Sequence, residues 1–67
     1  MKLKIITEID MLNSAFADNH DELEKILERC GKRTLEFVNA PEETEVKVHL
    51  FDSNGNKVGS IEISKED

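Results

Sequence analysis

Cysteine, proline and aromatic side chains are scarce in this 67-residue chain, which holds one Cys, one Pro, three Phe and neither Trp nor Tyr. A single Cys excludes an internal disulfide, and one Cys with two His falls short of the ligand set of a structural zinc site. Basic residues are the minority: nine Lys and Arg against fifteen Asp and Glu give a net charge of −6. Direct nucleic-acid binding draws its affinity from Lys and Arg that displace counterions, and single strands add aromatic platforms, so the excess of acids and the lack of Trp and Tyr argue against it. The same balance, with no basic amphipathic helix or lipidation motif, argues against anionic membranes. Long apolar runs are absent too. The opening MKLKIITEID turns acidic too soon for a secretory segment or a spanning helix. Together with a free thiol, that start places the chain in the cytoplasm.

What is present is enough for one small domain, residues 1–67. A chain of this size buries only roughly 60% of the surface its unfolded form exposes, so stability must come from a well-filled core or from an oligomer. Near the end, Asp52-Ser53-Asn54-Gly55-Asn56 spaces oxygen-bearing side chains as a calcium loop does. Such a loop also needs Gly at its sixth position and a bidentate Glu at its twelfth, which here are Lys57 and Ile63. The flanks, with Val46, Val48 and Leu50 before and Ile61 and Ile63 after, alternate with polar residues, so Asn54-Gly55 reads as a hairpin turn.

Lys2 to Ile9 alternates as a first strand. Residues 8–17 admit two readings: a short helix from Glu8, with Thr7 and Asp10 as a capping box, or a loop that carries Phe16 beneath the main helix. The main helix begins with Asn19 as N-cap and Glu22 in its first turn, and Leu23, Ile26, Leu27 and Cys30 mark its buried face. Gly31 reads as its stop, with Lys32 and Arg33 at the carbonyl end. Thr34 to Val38 then alternates as a second strand, Asn39 to Glu43 turns, and Thr44 to Phe51 with Lys57 to Ser64 makes the hairpin. A bulge at Gly59 would let Val58 and Ile61 reach the same face. The expected fold is a two-layer α+β domain in the order β-α-β-β-β, one helix on a mostly antiparallel four-stranded sheet. Leu3, Ile5, Leu35, Phe37, Val46, Val48, Leu50, Ile61 and Ile63 would lie under the helix. Lys4, Ile6, Glu36, Val38, Lys47, His49, Phe51 and Glu62 would form the bare face.

Chemistry-bearing residues are few. Cys30 falls at the expected C-terminal end of the helix, where the dipole disfavours a thiolate, and reads as a core thiol. His20 and His49 have carboxylates within easy reach, as any side chain has in so acidic a chain. No phosphate loop, nucleophile elbow or His-Glu metal motif occurs, so no enzyme, cofactor or metal is expected. What remains is an acidic helix ridge, with Asp18, Asp21, Glu22, Glu24 and Glu28, and a second cluster at Glu42, Glu43 and Glu45. Acids early in a helix also suit its dipole, and Asp21 stands four residues before Lys25.

The expected function is a small acidic, non-enzymatic module that binds a larger protein stoichiometrically, with the acidic ridge at Asp21, Glu24 and Glu28 and the open sheet face at Ile6, Lys47, His49 and Phe51 as its candidate contact surfaces. Two further readings stand beside it. One is an inhibitor of the phage or mobile-element kind, whose acidic surface mimics nucleic acid on a basic groove. The other is a structural homodimer joined through the open sheet face at Ile6, Lys47, His49 and Phe51.

Overall fold

The computed structural model describes residues 1–12 and 21–66. Strand β1 (Lys2–Ile9) leads to helix α1 (Asp21–Val38), followed by the hairpin of β2 (Glu45–Phe51) and β3 (Lys57–Glu66). The sheet is antiparallel in the order β1-β3-β2, so β3 is the central strand and β1 and β2 run parallel to each other at the edges. The class is α+β, as expected. The strand count is three among the described residues, and the order is β-α-β-β.

The missing strand is the second half of the helix. Thr34 to Val38 continues α1, and Gly31 lies inside it. Alternation over TLEFV predicts an extended segment. A longer helical stripe prevails: Ile26, Cys30, Arg33 and Phe37, spaced by four, three and four residues, share one face, and Phe37 is fully buried. Thr34 fits a helix because its hydroxyl donates to the Cys30 carbonyl at 2.8 Å. Gly31 costs about 1 kcal/mol relative to Ala in such a place, a penalty that the burial of Phe37 outweighs. The stop comes later. Asn39 N–H still donates to Leu35 O, Ala40 N–H closes a tighter turn on Phe37 O, and Pro41, which has no N–H, follows.

The core lies between α1 and the two strands of the hairpin, where Ile26, Cys30, Phe37, Leu50, Val58, Ile61 and Ile63 are buried together. Lys65 closes its end, donating to Ala40 O at 2.9 Å. Other expected core positions differ. Leu35, placed under the helix as a strand residue, lies on α1 and is 64% exposed, and Leu27 is 49% exposed. Val38 is likewise a helix residue, not part of the bare sheet face, and Glu36 lies on α1 too. Ile5 shares its cross-strand row with Ile63 yet is 47% exposed, because α1 packs on β2 and β3.

The first strand runs on to Ile9, and Asp10 N–H donates to Val58 O, which rules out a helix starting at Glu8. The Phe16 position and the Asn19 cap lie outside the described residues. The β2–β3 register shifts where Leu50 faces Gly59 and Phe51 faces Lys57, and Val58, skipped by the pairing, is buried alongside Ile61. Gly59 is obligatory there: a Cβ would collide with the Glu8 carbonyl oxygen and reach within 3.0 Å of Ile9 Cα.

Candidate functional site

The residues singled out from sequence fall on two surfaces, and the fold keeps them apart. Asp21, Glu24 and Glu28 recur at helical spacing on the outward side of α1, and all are exposed. Glu28 pairs with Lys32 at 3.9 Å, with both side chains largely solvated, a contact worth little in itself. Asp18 and His20 lie outside the described residues. Glu22 departs from the ridge altogether: it is 1% exposed and faces the hairpin turn, where its Oε1 accepts from Ser53 N–H at 2.6 Å. Its Oε2 is buried without a partner. Lys32 and Arg33 sit in mid-helix, and Arg33 ties α1 to the second acidic cluster through Glu43 at 3.4 Å.

Beside the acidic ridge runs an apolar row missed from the sequence. Leu27, Gly31 and Leu35 are successive i, i+4 neighbours on one flank of α1, and Val38 falls on the same flank, eleven residues after Leu27. Leu35, Leu27 and, at 39% exposure, Val38 stay open to solvent. The space over Gly31 is empty. This row was legible only to a reading that ran the helix through Gly31.

The second surface is the bare side of the sheet. Ile6, Glu62 and Lys47 align across β1, β3 and β2, and Lys47 pairs with Glu62 at 3.6 Å. His49 lies opposite Ser60 in the next row, and Phe51, half exposed, stands past the register shift. Ile6 is the one apolar side chain in its row.

The DSNGN stretch is a turn held from within. Asp52 Oδ1 accepts from Asn54 N–H at 2.9 Å and Asn56 N–H at 2.8 Å, and Gly55 takes φ +82°. The Asn56 amide, opposed by burial and aided by the Asn56 side chain and the Asn54 and Gly55 amides, holds the Asp52 carboxyl below its ordinary range. Cys30 is buried, and burial pushes its thiol up, with Arg29 partly opposing. A hollow of about 230 Å³ opens between α1 and β2, lined by Ile26, Cys30, Val48 and Phe51 with Arg29 and Arg33. Both guanidinium groups are already engaged, Arg29 with Phe51 O and Arg33 with Glu43. Among the described residues no group of three or more His, Cys, Asp and Glu is placed to hold a metal ion, and no helix is long and apolar enough to cross a membrane.

No protein-family model, curated protein or solved structure matches the chain.

Proposed function

We propose that this chain is a non-enzymatic protein-binding module that docks stoichiometrically, by the outward side of α1, on a basic protein with an apolar groove. The observation that supports this reading is the juxtaposition of two rows on one helix. The acids Asp21, Glu24 and Glu28 border the exposed Leu27, Leu35 and Val38. An amphipathic helix laid into a groove is recognised by apolar anchors at such spacings. Flanking charge of one sign speeds encounter with an oppositely charged partner and rejects others. Three large apolar side chains also fit this better than pure mimicry of nucleic acid, which requires charge alone. The cytoplasm, where Cys30 stays reduced, is the setting this reading assumes.

The test separates the two rows. A binding partner isolated with the parent chain is titrated with Asp21→Asn/Glu24→Gln/Glu28→Gln and with Leu27→Gln/Leu35→Gln. The charge variant is expected to associate more slowly, with the deficit shrinking as salt rises. The leucine variant is expected to dissociate faster at every salt concentration. If both bind like the parent while Phe51→Glu or His49→Glu abolishes binding, the bare sheet face is the contact and the helix reading is wrong.

A further inference from the structure

The two edges of the sheet are not equally protected. At β2, Arg29 of α1 reaches over the edge to donate to Phe51 O at 3.4 Å. Among the described residues the helix packs on β2 and β3, and β1 is left as an eight-residue edge without proline or bulge. Such an edge, with half-exposed Ile5 and Ile6 on it, is a template for another strand unless something blunts it.

The direction of its free backbone groups follows from the ladder. Asp10 N–H donates to Val58 O at 2.7 Å, in step with the β1–β3 register. Bonded pairs alternate along an antiparallel ladder, so Lys2, Lys4, Ile6 and Glu8 bond inward to β3. Leu3, Ile5, Thr7 and Ile9 therefore turn their N–H and C=O groups outward.

The side chains along this edge are antisymmetric about Ile6. On the bare face the order is Lys2, Lys4, Ile6, Glu8, Asp10, two cations then two anions around an apolar centre. On the helix side, Leu3 and Ile5 precede the centre and Thr7 and Ile9 follow it. Lys2, Lys4 and Glu8 take no ion pair among the described residues. A strand with this order matches one partner above others: its own copy, reversed.

We propose that a second copy of this chain pairs along the free edge of β1, antiparallel and centred on Ile6, merging the two sheets into one. Lys4 then faces the partner's Glu8, Ile6 faces the partner's Ile6, and Lys2 falls opposite the partner's Asp10. On the helix side Leu3 meets the partner's Ile9, and Ile5 meets the partner's Thr7. These are the bonded pairs, so every outward group of Leu3, Ile5, Thr7 and Ile9 is satisfied. A register centred on Ile5 would set Lys4 against Ile6 and leave Ile9 outside the strand-to-strand pairing. Parallel pairing in register would set Lys against Lys and Glu against Glu, which is unfavourable. The contact uses the strand edge and leaves the outward side of α1 free, so it stands apart from the docking reading above.

Sedimentation equilibrium over micromolar to millimolar protein, in moderate salt, is expected to give twice the 7.6 kDa chain mass at the upper end. Lys4→Glu and Glu8→Lys each convert two symmetry-related attractions into repulsions and are expected to weaken the dimer by about tenfold. The double variant Lys4→Glu/Glu8→Lys restores it. Melting curves on each variant check that the fold survives. Ile6→Cys, whose Cβ atoms meet across the two-fold at a non-bonded pair, is expected to form an intermolecular disulfide on mild oxidation, and Ile5→Cys is not. A monomer at every concentration, a double swap that fails to restore association, or cross-linking through Ile5→Cys in place of Ile6→Cys would each overturn the proposal.

Discussion

The Lys65 ammonium lies 4.6 Å from the centre of the Phe37 ring, joining the last strand to the last turn of the helix. The same ammonium donates to Ala40 O, beyond the end of α1. One side chain thus covers the ring that anchors the helix and gives a second donor to the Ala40 carbonyl, which also accepts from Glu43 N–H in the turn after the helix. Phe37→Ala is expected to cost about 3 to 5 kcal/mol, a large share of the stability available to a domain this size. Lys65→Met should cost about 1 to 2 kcal/mol, and a double-mutant cycle with Phe37→Leu should show coupling of about 0.5 to 1 kcal/mol. Chemical denaturation of the four proteins measures all three quantities. No coupling would mean that Lys65 serves the carbonyl alone.

Two glycines are expected to respond in opposite directions. Gly31 is helical with open space where a Cβ would stand, so Gly31→Ala should raise stability by about 0.5 to 1 kcal/mol. Gly59→Ala would drive a methyl group into the backbone of β1 and should cost more than about 2 kcal/mol or prevent folding. Thermal melts of the two variants decide this, and a stabilised Gly59→Ala would refute the close approach of β1 and β3.

Acid should loosen the hairpin turn through Asp52. Its folded pKa lies below the ordinary value of 3.8, so the carboxylate's contribution is complete above that value and is lost as pH falls through the lower folded pKa. Asp52→Asn should therefore melt below the parent near neutrality, with the gap closing as pH is lowered to about 2. A gap that stays constant over the titration would show that the carboxylate's charge plays no part in holding Asn54 and Asn56.

Much of the fold was legible in the sequence, for local reasons. Alternation in β1, β2 and β3, and Asn-Gly at the turn, are signals carried by a few adjacent residues. The bulge beside Gly59 was readable because Val58 and Ile61 are separated by an odd number of positions. Thr34 to Val38 was not, because five residues fit a strand or a buried helical turn equally well and Gly31 looks like a C-cap. Only the packing of Phe37 under the continued helix decides between them. The acidic ridge was partly legible: Asp21, Glu24 and Glu28 lie where helical spacing puts them, while Glu22 turns inward to Ser53, a contact set by the approach of the hairpin turn. The leucine row is hidden by the same ambiguity, since a strand over Thr34 to Val38 would take Leu35 off the helix.

The exposed apolar row of Leu27, Leu35 and Val38 exists only if residues 21–38 form one helix. Backbone NMR measures this directly through the Cα chemical shifts of Thr34 to Val38. Shifts displaced downfield of random coil in unbroken continuation from Asp21, with slow amide exchange at Phe37, are the expected result. Upfield, strand-like shifts from Thr34 to Val38, with the helical pattern ending at Gly31, would contradict it and remove the surface on which the proposed function rests.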